Sequence, residues 1–258
     1  MFLLIIIRDI VNFFIEMKNK FFNSNSYNQD RPVKMKYAMN CYNCGIPLTK
    51  KTNNGEHVPP KNLFEGRGPE YKINRKKIPA CYDCNNKYSL TDEEFRNLIG
   101  VINKHPDLSA LTENAVKSMN MGAAKKSRML YDESGNVKGV AFDLNEIKKF
   151  HIKNFKGVFF IQYGYPIPDS YRILVDIKEN EVTDGHLRII NYAKDNFTWK
   201  YSGHPDIFSY IIQPFRPRAK LDSKDIIPES SEKYFVCLLR YNKSHTALVL
   251  ADTKNLKI

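Results

Sequence analysis

The chain has 258 residues, 42% hydrophobic and 12% aromatic, a composition that excludes wholesale disorder and suffices for one large or two modest domains. Its 40 Lys and Arg against 28 Asp and Glu give a formal net charge of +12, which favours a polyanionic partner. The opening apolar run, 1–7, is broken by Arg8 and Asp9 and has neither the basic start nor the small-residue cleavage site of a secretory signal. It is also too short to span a bilayer, so no membrane span is expected.

Ile7, Ile10, Val11, Phe14, Met17 and Phe21 recur at helical spacing, so residues 1–34 read as an amphipathic helix followed by a polar linker. Residues 38–88 are short segments broken by Gly45, Pro47, Gly55, Pro59, Pro60, Gly66, Gly68 and Pro69, with few large apolar residues to bury. Thr91-Asp-Glu-Glu94 has the form of a capping box ahead of the apolar face Phe95, Leu98, Ile99 and Ile102. A second helix is expected over 108–130. A turn at 132–136 and a strand over 137–142 follow, then a third helix from Asp143 that Gly157 ends. Strands are expected over 158–163, 171–178, 197–201, 207–213, 234–241 and 246–251. The fold class is α+β, with a small cysteine-rich module over 35–105, a helical middle over 106–157 and a β-rich C-terminal domain over 158–258.

Four of the five cysteines fall in two knuckles, Cys41-Tyr-Asn-Cys44 and Cys81-Tyr-Asp-Cys84. Cys-x-x-Cys pairs hold both sulfurs about 2.3 Å from one ion, the arrangement of a structural Zn2+ site. Such thiolates require a reducing compartment, so a cytoplasmic location is expected. Cys237, within Tyr-Phe-Val-Cys-Leu-Leu, reads as a buried strand thiol. The knuckles bracket Glu56-His57-Val58-Pro59-Pro60, and the second runs directly into Asn85-Asn86. A carboxylate, an imidazole and an amide are the groups that hold a second, catalytic cation and activate water. The remaining histidines, His105, His151, His186, His204 and His245, stand in no ligand spacing and read as structural. Basic residues concentrate here too: residues 31–80 hold eleven Lys and Arg against three Glu. Lys61, Lys72, Arg75, Lys76 and Lys77 are the candidates for phosphate contacts.

The order Cys-x-x-Cys, Glu-His, Cys-x-x-Cys-Asn resembles the HNH (ββα-metal) endonucleases, in particular zinc-stabilised four-cysteine members such as phage junction-resolving nucleases. The similarity covers residues 38–90. It implies a zinc-stapled ββα-metal nuclease module in which a hairpin carries the acidic residue and the histidine. A short helix opening at the second knuckle supplies the third position. Carried over, Glu56 is the acidic ligand of a catalytic Mg2+ or Mn2+, His57 the general base, and Asn85 the residue that completes the metal site. Asn86 is the fallback for that last role. The implied substrate is DNA, with RNA left open. Adjacent strand residues point to opposite faces, so a bulge or the Pro59-Pro60 kink is expected to bring Glu56 and His57 together. Two other readings stand beside this one: a non-catalytic zinc-dependent nucleic-acid-binding module, and a nuclease regulated by a C-terminal sensing domain.

Overall fold

Two short antiparallel strands, β1 (Glu56–Val58) and β2 (Lys76–Ile78), pair in the register Glu56↔Ile78, His57↔Lys77, Val58↔Lys76. They belong to a computed structural model that describes residues 39–102, 108–176, 191, 195–215 and 234–253. The expected N-terminal helix and linker lie outside the described residues. A 3-10 turn (Lys61–Phe64) and helix α1 (Pro69–Lys72) connect the strands, with Pro69 at the first helical position, where its missing N–H costs nothing. Helix α2 (Tyr82–Asn86) opens at the second knuckle, because Cys81 Sγ accepts the Cys84 N–H at 3.4 Å and caps the first turn.

Helix α3 (Ser89–Ile102) begins two residues ahead of Thr91, so the expected capping box is not used. The Thr91 hydroxyl instead donates to Glu146 across the helix packing. The helix expected over 108–130 is broken into α4 (Ser109–Asn120) and α5 (Ala123–Lys126), because Gly122 takes a φ of 95°. Residues that the expected helix would have included then form β3 (Met129–Tyr131), paired with β4 (Val137–Val140). Asp132 Oδ1 closes their turn by accepting the Ser134 and Asn136 N–H groups at 2.9 and 2.8 Å.

Helix α6 (Leu144–Tyr163) is N-capped by Asp143, whose Oδ1 accepts the Asn145 N–H at 2.8 Å, and it ends at Gly164 in the left-handed region. The strand expected over 158–163 is therefore helical, and Gly157 lies inside the helix. Buried Val158, Phe159 and Phe160 extend the apolar face of Phe150 and Phe155. Gly157 is there for proximity: a Cβ at this position would stand 2.6 Å from Val58 Cγ2. Strand β1 thus lies directly against the helix.

Five antiparallel strands complete the α+β chain in the order β5-β9-β8-β7-β6: β5 (Tyr171–Asp176), β6 (Lys200–Tyr201), β7 (Phe208–Phe215), β8 (Tyr234–Tyr241) and β9 (His245–Thr253). Phe235, Cys237, Leu239 and Tyr241, alternate residues of β8, join one buried cluster with Phe150, Phe155 and Phe159 of α6 and Phe95 of α3. The same cluster takes in Tyr42, Val58, Leu63 and Phe64 from the cysteine-rich segment, so one core runs through all three sequence segments. Cys41, Cys81 and Cys84 group apart with Leu48 in a second buried cluster, and Cys44 is exposed. No helix among the described residues is long and apolar enough to cross a membrane.

Candidate metal centre and adjoining cleft

The Sγ atoms of Cys41, Cys44, Cys81 and Cys84 all lie within 4.8 Å of one another, with Cys44 and Cys81 at 3.8 Å. Four sulfurs held tetrahedrally about 2.3 Å from an ion would stand about 3.8 Å apart, so the cluster can hold a metal ion. The first knuckle is folded by its own backbone: Gly45 N–H donates to Cys41 O, and Cys41 N–H to Ile46 O, both at 2.9 Å. Asn43 Nδ2 donates to Cys84 Sγ at 3.2 Å, and Asn43 Oδ1 accepts from Lys156 Nζ at 3.0 Å, so one amide hydrogen bond reaches the sulfur with a cation behind it. Burial pushes the Cys41 thiol up, but the backbone N–H groups of Cys44, Cys81 and Asn43 outweigh it and bring it down to about 7. Burial pushes the Cys44 and Cys84 thiols up, so among these three it is Cys41 whose thiolate is favoured before a metal binds.

Beside the cysteines a cleft of about 450 Å³ is lined by Glu56, His57, Lys61, Lys77, Asn85 and Asn86, with Asp92 among its other walls. Residues far apart in sequence meet there because β1 supplies Glu56 and His57 while the knuckle-capped helix α2 supplies Asn85 and Asn86. Of the two distortions expected, the bulge is absent, because β1 is regular over its three residues with Glu56 and Val58 buried and His57 half-buried; a cis Val58–Pro59 bond follows the strand at once. The two neighbours still border one cleft, and the His57 N–H donates to Glu56 Oε1 at 3.1 Å. Of the basic candidates, Lys61 and Lys77 line the cleft, whereas Lys72, Arg75 and Lys76 do not. Lys72 and Lys76 are exposed; Arg75 lies 5.4 Å from the Phe64 ring, and its Nε donates to Lys72 O at 3.2 Å.

Electrostatics separate the two central residues. Burial, followed by the charges of Arg75, Lys61 and Lys77, pushes the His57 imidazole down to about 4, so it is neutral at neutral pH. Burial raises the Glu56 carboxyl to about 7 even though Lys153 opposes the rise. Lys153 and Asp92 were not among the residues singled out from sequence. Lys153 Nζ stands 3.5 Å from Glu56 Oε2 and donates to both Asp92 oxygens, at 2.9 and 2.7 Å. A usable signal existed for both: Asp92 precedes Phe95 and Ile99 at helical spacing, and Lys153 lies between Phe150 and Gly157 in the same way. Charged residues on an apolar stripe have to be paired.

Comparison of the chain with protein-family models, with curated proteins and with solved structures returned no match in any of the three. The chemistry of the site therefore has to be argued from its own residues.

Proposed function

We propose that the protein is a zinc-stabilised endonuclease of the HNH type that hydrolyses DNA phosphodiester bonds with a divalent metal ion in a reducing, cytoplasmic setting. The observation that carries this reading is the cleft in which Glu56, His57 and Asn85 meet, immediately beside four clustered cysteines. In this reading Cys41, Cys44, Cys81 and Cys84 hold structural Zn2+, and Glu56 and Asn85, with Asn86 in reserve, hold catalytic Mg2+ or Mn2+. A cation bound there polarises the phosphate and neutralises charge on the leaving oxygen. Lys61 and Lys77 receive the phosphate at the cleft, while Lys72, Arg75 and Lys76 extend a basic surface for the flanking backbone. His57, neutral among cations, accepts the proton of the attacking water. A phosphate bound at Lys61 and Lys77 offsets the charges that depress His57 and so makes it a stronger base when substrate is present.

Nicking of a supercoiled plasmid in Mg2+ or Mn2+ tests the assignment. His57→Ala is expected to slow nicking by about a hundredfold or more, with zinc content and DNA affinity retained. Asn85→Ala is expected to lose activity and to regain part of it at higher Mn2+, since its role is metal affinity. If His57→Ala nicks as fast as the parent, the catalytic assignment fails and a zinc-dependent binding module becomes the better reading.

A further inference from the structure

Lys153 sits near the middle of α6 with 2% of its side chain exposed, beneath a cleft to which Glu56 and Asp92 both belong. Its ammonium is bound by both oxygens of Asp92 at 2.7 and 2.9 Å, is 3.5 Å from Glu56 Oε2, and lies 5.4 Å from the centre of the Tyr88 ring. Taking an ammonium out of water costs several kcal/mol even after relaxation, and replacing a buried ion pair by apolar side chains is often neutral or stabilising. An apolar residue at 153 would simply continue the face of Phe150. Packing therefore does not account for a lysine here, whereas its two carboxylate partners do.

The division of contacts is unequal, and that inequality is informative. Asp92 spends both oxygens on Lys153 and thereby anchors the ammonium. Glu56 spends Oε1 on the His57 N–H, while its buried Oε2 faces Lys153 at 3.5 Å, a longer contact than either Asp92 oxygen makes. The helix bearing Lys153 is itself pinned, by Thr91 to Glu146, by Gly157 against Val58, and by Lys156 to Asn43.

We propose that Lys153, anchored on Asp92, is a positioning residue that fixes the Glu56 carboxylate at the cleft, where it would serve a divalent cation. This rests on the metal-dependent reading of the cleft. Without the ammonium, two carboxylates would face each other under the cleft with nothing to hold them. Without the Asp92 charge, the ammonium would close on Glu56 and occupy the place of the cation.

The test is Mn2+ binding to the zinc-loaded full chain, followed by electron paramagnetic resonance without DNA, so that no turnover is needed. The parent is expected to bind one Mn2+ that Glu56→Gln removes. Lys153→Met is expected to weaken that binding by about 10- to 100-fold, the usual cost of losing an outer-shell partner, and Lys153→Arg to restore most of it. Asp92→Asn, close to isosteric and so the safer fold, is expected to weaken it about tenfold. Parent-like Mn2+ affinity in folded, zinc-containing Lys153→Met or Asp92→Asn would overturn the role of Lys153 and leave the cleft reading standing. A parent that binds no Glu56-dependent Mn2+ would overturn both.

Discussion

Replacing His245 by Phe should flatten the acid side of the stability profile, for a reason that lies in the core between α6 and the sheet. His151 and His245 are 0% and 6% exposed, their rings stack at 5.1 Å with a 6° interplanar angle, and their Nε2 atoms are 3.1 Å apart. Phe95, Phe150 and Tyr241 surround them. Two neutral imidazoles can share one N–H···N bond at that distance, but two imidazolium ions cannot occupy it. Burial, and then the neighbouring His245, hold His151 well below its ordinary 6.5, and burial brings His245 to about 4. Both folded-state values are depressed, so below pH 6.5 the unfolded chain takes up protons that the native chain refuses, and stability falls as the pH drops. At pH 5.5 each imidazole costs about 1.4 kcal/mol, so the pair removes about 3 kcal/mol from a total typically about 5–15 kcal/mol. Glu56 works in the opposite sense, because its pKa is raised and it gains a proton on acidification. The quantity to measure is therefore the difference between parent and variant. Urea unfolding at pH 8 and pH 5.5 should show the parent losing about 1.4 kcal/mol more than His245→Phe across that interval. At pH 8 the variant should already be destabilised by about 1–3 kcal/mol, because His151 is left with neither ring nitrogen satisfied. Parallel losses in the two proteins would refute the reasoning, since the pair would then not be buried and neutral.

The other predictions concern how the cleft is held. Gly157→Ala should destabilise the chain by about 1–3 kcal/mol from overpacking against Val58, less about 1 kcal/mol gained in helix propensity, and Val58→Ala should relieve part of the loss in a double-mutant cycle. Strictly additive effects would mean that the contact between strand and helix is not tight. Cys81→Ala should lower the expected zinc content of one ion per chain and, by removing the cap of α2, should increase hydrogen exchange over 81–86 while leaving β7, β8 and β9 protected. Full protection of α2 in metal-free protein would show that the cysteines are not what holds it.

What could be read from the sequence was what depends on local chemistry. Knuckle spacing brings the two cysteines of each pair together, and the expectation that both pairs share one site is matched by four sulfurs within 4.8 Å. Strands β8 and β9 follow their hydrophobic runs, with Asn242 and Lys243 in the left-handed conformation of a tight hairpin. What failed depends on partners distant in sequence. Residues 158–163 are β-branched and aromatic enough to read as a strand, and Gly157 resembles a helix stop. Both impressions yield to packing: the run continues the face that buries Phe150 and Phe155, and the glycine makes room for Val58. The regularity of β1 shows the same thing from the other side. Glu56 and His57 border one cleft with no bulge between them, Glu56 buried and His57 half-buried.

The sheet, finally, is part of what holds the cleft rather than an appendage to it. Ser202, next to β6, accepts the Lys76 N–H at 2.8 Å and donates to the Val58 carbonyl, so one buried hydroxyl touches both strands of the hairpin that carries His57. Its neighbour Gly203 donates to Asn74 O at 3.2 Å, and a Cβ there would stand 2.7 Å from the Phe64 ring. On its other flank the hairpin meets α6, which reaches the sheet through His151 and the cysteines through Lys156. The hairpin that carries Glu56 and His57 is thus held from two directions, by Ser202 beside the sheet and by α6 against Val58. For the chemistry proposed for this cleft, which would set a carboxylate, an imidazole and an amide around a divalent ion, such support would keep the short hairpin in place.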